Sequence, residues 1–216
     1  MHAHERTLLA RLGFADPDRR DPLHDIACRY LATQPVYDRL AAILANEYPQ
    51  QDHRYTDSGF ETRCVINTVV RGFHANHEFE ISKGYGQYRT TVGFIDVLLT
   101  AVLDLHHTNL KKRQISRNEA NEPWQPSEGF LRVCNTKVAI EVKTSPLPVG
   151  DIVRQINLYR SYSTFDTWIL ATTYPLPQSH FDYLASARIL HIHLGQRFQD
   201  FVKEQANAPL SNSMEV

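Results

Sequence analysis

Cysteine is scarce: Cys28, Cys64 and Cys134 are the three in a chain of 216 residues. Odd in number and far apart, they argue against a disulfide framework and against a four-thiolate zinc or iron–sulfur site. No apolar run approaches the ~20 residues that span a bilayer. The N-terminus, M-H-A-H-E-R-T-L-L-A-R-L, has no apolar core of the signal-peptide kind. Neither charge sign dominates, since 23 Lys and Arg face 24 Asp and Glu for a net charge of -1. Bulk charge therefore points to no nucleic acid, although local patches could still serve. There are no internal repeats. Together these absences predict a soluble, cytoplasmic protein with no membrane partner.

The residues present include 42% hydrophobic ones, enough for one sizeable core. A short amphipathic piece around Leu8, Leu9 and Leu12 precedes the turn-rich A-D-P-D-R-R-D-P. Val36 to Tyr48 carries a helical stripe of Val36, Leu40, Ile43 and Leu44 and stops at Pro49. Ser58-x-x-Glu61 has the form of a capping box, but C-V-I-N-T-V-V is β-branched, and residues 60–73 read as strand. His77 to Ser82 alternates as a strand, Lys83 to Gln87 is a glycine-rich turn, and Thr91 to Ala101 is a buried strand. Residues 104–135 are polar, contain Pro123 and Pro126, and show no period, so they read as a long insertion between strands. A strand from Thr136 to Thr144, a helix from Gly150 to Ser163, a strand from Phe165 to Thr172, a helix from Gln178 to Ala187 and a strand from Arg188 to Leu194 complete the pattern. The order implies a mixed sheet flanked by helices, hence α/β. The divisions expected are an N-terminal helical extension (1–55), a core (56–205) with the insertion at about 104–135, and a disordered tail (206–216).

Two strands carry acids where hydrophobes belong. In A-I-E-V-K-T, Glu141 and Lys143 point to one face of the strand while Ile140 and Val142 point to the other. In G-F-I-D-V-L-L, Asp96 interrupts an apolar run. A lone buried carboxylate costs several kcal/mol, so such a residue is neutral, paired or bound to metal. Two carboxylates converging on one point suit a hard cation such as Mg²⁺, which takes one or two of them and fills its octahedron with water and substrate phosphate. Lys143 could orient or activate a water, or neutralise charge on phosphate.

The segment Asp96, then Glu141-Val142-Lys143, then a helix resembles the PD-(D/E)xK nuclease superfamily, whose restriction-endonuclease-like core would cover residues 60 to 194. Gln155 and Tyr159 in Q-I-N-L-Y are similar to the Q-x-x-x-Y of its RecB-like and Cas4-like branch. The resemblance implies a Mg²⁺-dependent deoxyribonuclease, with Mn²⁺ as substitute. Asp96, Glu141 and the Val142 carbonyl would hold the metal, and Lys143, Gln155 and Tyr159 would complete the catalytic set. It also implies DNA as partner, acting alone, as a homodimer or within a larger complex. A nuclease-fold subunit or a non-catalytic nucleic-acid-binding module is the alternative.

There are departures. Ile95 stands where the family name has proline, and Glu141 lies 45 positions after Asp96. The cysteines that would hold an iron–sulfur cluster are absent, and none is expected. Many members add a glutamate from the first helix; Glu47 is the better candidate and Glu61 the next. Arg154 and Arg160 flank the Q-x-x-x-Y face and could meet phosphates, as could Lys111-Lys112-Arg113 and Arg117 in the insertion. Trp124 could stack on a base or anchor its loop. The pairs His106-His107 and His191-x-His193 invite a zinc reading, but neither has a matching partner set.

Overall fold

The computed structural model describes residues 21–47, 53–57, 60–84, 86–113 and 124–207. Helices α1 (Pro22–Leu31) and α2 (Gln34–Glu47) come first. Strands β1 (His53–Asp57), β2 (Phe60–Lys83), β3 (Thr90–Arg113) and β4 (Gln125–Lys143) follow. Then α3 (Val149–Arg160), β5 (Thr167–Thr172), α4 (Gln178–Ser186), β6 (Leu190–His193) and α5 (Gly195–Asn207) close the chain. The strands are hydrogen-bonded in the order β1-β2-β3-β4-β5-β6. β1 and β2 are antiparallel, whereas β4, β5 and β6 are parallel. This is a mixed sheet flanked by helices. Parallel neighbours need a crossover, and α3 and α4 supply the two.

The chain forms two compact units. Of the described residues, 21–33, 75–84, 86–99 and 137–207 make up one, and 34–47, 53–57, 60–74, 100–113 and 124–136 the other. In the first, a core cluster joins Ile95 of β3, Ala139 of β4, Trp168 and Leu170 of β5 and Leu184 of α4 to α3. α3 contributes Ile152, Val153, Ile156 and Tyr159. Each large apolar side chain so buried stabilises the fold by about 1.5–3 kcal/mol. Val138 to Val142 are buried without a break. A strand covered on both faces reads as such a run, not as an alternation. β2 ends in a turn that only glycine fits: Gly84 has φ +81°, and a Cβ there would lie 2.5 Å from the Tyr88 carbonyl oxygen.

In the second unit, α2 buries Val36, Leu40 and Leu44. Tyr37 stacks on Phe73 with centroids 4.9 Å apart, and Arg71 pairs with Asp104 at 2.8 Å. Here the sequence reading needs correction. Residues 104–113 continue β3, and residues 125–135 begin β4. The stretch read as an insertion is mostly strand. Gln125 to Val133 are exposed on both faces, so no alternation marks them. Another departure is at the C-terminus: the tail expected from Ala206 is in part helix, because Ala206 and Asn207 end α5. The remainder, 208–216, lies outside the described residues. Residues 1–20, 114–123 with Arg117, and the side chains of Glu47, Glu61, Lys112 and Arg113 also lie outside them.

Candidate active site

Glu141, Val142 and Lys143 are the last three residues of β4, and Asp96 is in β3. α3 turns Ile152, Gln155, Ile156 and Tyr159 inward, a spacing of three, four and seven that shares one face. All five expected site residues come together, and all belong to the first unit. Lys143 Nζ donates to Glu141 Oε1 at 2.7 Å. Gln155 Nε2 donates to the same oxygen at 2.8 Å and to Tyr159 Oη at 3.0 Å. Both amide hydrogens of Gln155 are therefore used, and the carboxylate requires the nitrogen to face it. Asp96 Oδ2 accepts the Val142 backbone N–H at 2.7 Å.

The Val142 amide also fixes where its carbonyl points. The carbonyls of Lys137 and Lys143 accept from Asp166 and Thr173 on the β5 side, at 3.0 and 3.2 Å. Odd-numbered residues of this stretch thus turn their backbone toward β5. Val142 turns its N–H and C=O to the opposite edge, where Asp96 lies.

One residue of the cluster was not expected. His24, on α1, places Nε2 3.2 Å from Asp96 Oδ1. α1 starts at Asp21, whose side chain caps Leu23 N at 3.0 Å and accepts Thr144 Oγ1 at 2.5 Å. Asp21 therefore fastens the helix to the residue after Lys143. The Asp-Pro start of α1 is a legible helix signal. Its docking partner, 72 residues downstream of His24 at Asp96, is not a local property of the sequence.

The charges are strongly coupled. Burial pushes Glu141 up to about 7, Asp96 adds to the rise, and Lys143 opposes it. Burial works to lower Lys143, but the charges of Glu141 and Asp96 outweigh it, so the group stays an ammonium. The hydrogen bond to Asp96, then the contact with Cys28, pushes His24 up to about 11. Cys28 Sγ lies 3.8 Å from His24 Nδ1, which completes a carboxylate–imidazole–thiol series. Cys28 is only 8% exposed and burial raises its pKa, so it lacks the thiolate and the access of a nucleophile.

The residues fit a hard divalent cation. Glu141 Oε2 is buried and has no hydrogen-bond partner. A buried carboxylate oxygen left bare costs free energy, which a cation would recover. Asp96 and the Val142 carbonyl complete an all-oxygen donor set of the kind Mg²⁺ prefers. Among the described residues no three His, Cys, Asp or Glu side chains gather as a metal group.

The other expected contacts divide. Arg154 is exposed and pairs with Asp151. Arg160 is committed elsewhere: it donates to the carbonyls of Ala187 and Arg188, both at 2.6 Å, and lies over the Trp168 ring. It tethers the end of α4, which corrects its reading as a phosphate contact. Lys111 is exposed on β3, and Trp124 is half-buried just before β4. His107 stacks on Phe130 with centroids 4.2 Å apart, and His191 Nε2 meets Thr172 Oγ1 at 2.9 Å. Among the described residues no helix is long and apolar enough to cross a membrane. No protein-family model matches the chain, and no curated protein or solved structure shows significant similarity to it.

Proposed function

We propose that the chain is a Mg²⁺-dependent nuclease of the PD-(D/E)xK type, with a restriction-endonuclease-like core, that hydrolyses phosphodiester bonds in DNA. The observation that carries this reading is the Glu141 carboxylate. One oxygen is held by Lys143 and Gln155 while the other is buried and bare. Asp96, Glu141 and the Val142 carbonyl would hold the cation. Bound there, Mg²⁺ supplies Lewis acidity toward phosphate and lowers the pKa of a water. Lys143, as an ammonium, donates and neutralises charge on the phosphate; its raised pKa makes it a poor base. Gln155 and Tyr159 keep Glu141 in its rotamer, and the Val142 N–H keeps Asp96 in place. His24, protonated against Asp96, balances the site's negative charge.

The closed state of the site favours a second reading, a nuclease subunit switched on by a partner. Glu141 is 2% exposed, and α1 is fastened over Asp96 and Thr144. The test is cleavage of supercoiled plasmid, linear duplex, single-stranded DNA and RNA in Mg²⁺, Mn²⁺ or EDTA. Metal-dependent cutting of DNA that is lost in Asp96→Asn supports the first reading. Cutting that appears only with added cell extract supports the second, and cutting in EDTA contradicts both.

A further inference from the structure

A second buried oxygen beside Lys143 has no hydrogen-bond partner: the hydroxyl of Tyr174. Tyr174 follows β5, whose last residue, Thr172, is in parallel register with Lys143. The backbone that carries it is fixed from several sides. Thr173 N–H donates to the Lys143 carbonyl at 3.2 Å, and Thr173 Oγ1 donates to the Thr144 carbonyl at 3.1 Å. Thr172 Oγ1 donates to the Tyr174 carbonyl at 2.7 Å. That hydroxyl has one proton, so His191 Nε2, 2.9 Å away, must be the donor to it. The chain His191–Thr172–Tyr174 thus holds the tyrosine at the carboxyl end of parallel strands, where ligands bind α/β sheets.

The Tyr174 hydroxyl interacts electrostatically with the Lys143 ammonium, and burial raises its pKa, so it keeps its proton and is a donor. The Leu147 backbone lies against it without forming a hydrogen bond of normal geometry. Buried hydroxyls are ordinarily satisfied, and an unsatisfied one in a functional cluster calls for an absent partner. Glu141 Oε2 and Tyr174 Oη, both without a hydrogen-bond partner, belong to two residues that interact with one ammonium: Glu141 through its other oxygen and Tyr174 electrostatically. A cation answers the first. The second needs an acceptor, and the acceptor that Lys143 also attracts is a phosphate oxygen.

We propose that Tyr174 is a catalytic residue of this site, donating its hydroxyl proton in a hydrogen bond to a non-bridging oxygen of the phosphate that Lys143 neutralises. The proposal rests on the nuclease reading above. The hydroxyl is buried, so the chain around it must yield when the phosphate enters.

The test is Tyr174→Phe, which keeps the ring and deletes only the hydroxyl. Because that hydroxyl makes no hydrogen bond in the free protein, the variant should melt at the wild-type temperature or above it. With Mg²⁺ and duplex DNA its kcat should fall roughly 100-fold, the usual loss for one donor to a developing oxyanion, with KM changed less than about threefold. Wild-type kcat in Tyr174→Phe, with Lys143→Ala inactive, overturns the role of Tyr174 and leaves the nuclease standing. A lowered melting temperature with unchanged kcat also overturns it, in favour of a structural hydroxyl. If wild type cuts nothing, binding of labelled duplex in Ca²⁺ decides. Weaker binding by Tyr174→Phe upholds the phosphate contact; equal binding, or none by wild type, overturns it.

Discussion

Replacing Lys143 by Met should destabilise the metal-free protein by an amount that depends on pH. Lys143 and Glu141 are a buried pair, with side chains 11% and 3% exposed and a separation of 2.7 Å. Removing one partner of such a pair costs about 3–5 kcal/mol, because the other charge is left uncompensated. Glu141 has an escape, since it can take up a proton. Its pKa is raised on folding from 4.5 to about 7. The folded chain therefore binds that proton more tightly than the unfolded chain does. Stability from this group is greatest at low pH and declines as pH rises through 4.5 to about 7. Without Lys143 the folded pKa climbs further, and the decline extends to higher pH. At pH 5.5 Glu141 is neutral in both proteins and the substitution costs little. At pH 8.5 the wild type has its ion pair and the variant does not. A difference of about 3 kcal/mol lowers Tm by roughly 6–12 °C at 2–4 °C per kcal/mol. The assay is thermal unfolding of both proteins in EDTA at these two pH values, followed by circular dichroism. An equal Tm difference at both would refute the argument, since Lys143 would then not be compensating the Glu141 charge.

Other expectations follow from the same geometry. Asp96→Ala strips the Val142 N–H of its acceptor and should cost about 1–3 kcal/mol, whereas Asp96→Asn keeps an acceptor and costs less; denaturant midpoints rank the two. Gln155→Leu leaves Glu141 and Tyr159 short of a donor, with a loss of about 1–3 kcal/mol that urea unfolding would register. His24 has its pKa raised from 6.5 to about 11, so its stabilising contribution is complete below 6.5 and fades as pH rises through about 11. His24→Asn should therefore lower Tm more at pH 6.5 than at pH 10.5, and ring-nitrogen NMR shifts should show an imidazolium at pH 8.5 in the metal-free protein. Arg160→Met should reduce stability by about 1–2 kcal/mol through its lost hydrogen bonds while leaving DNA affinity unchanged; a loss of affinity with unaltered Tm would restore it as a phosphate contact.

The site was legible where local periodicity and chemistry coincided. Asp96 and Glu141 are charges inside apolar strands, and Gln155 and Tyr159 share the face of α3 that carries Ile152 and Ile156. What stayed hidden was non-local or unpatterned. His24 reaches Asp96 through the docking of α1, which no sequence window contains. The start of β4, Gln125 to Val133, lacks alternation because it faces solvent on both sides, so burial imposed no pattern there. Arg160 looked free because nothing in its neighbourhood announces the carbonyls of Ala187 and Arg188. Tyr174 sits in T-T-Y-P-L-P, which reads simply as a strand end followed by prolines.

The most direct measurement compares wild type with Glu141→Gln/Lys143→Met. Replacing a buried pair by neutral residues of similar size is often neutral or stabilising, so the double variant should remain folded. Single-turnover cleavage of duplex DNA in Mg²⁺ and in EDTA would be followed for both. The account predicts Mg²⁺-dependent cutting by wild type and none by the folded double variant. Cutting by that variant at the wild-type rate would place the chemistry elsewhere and contradict it.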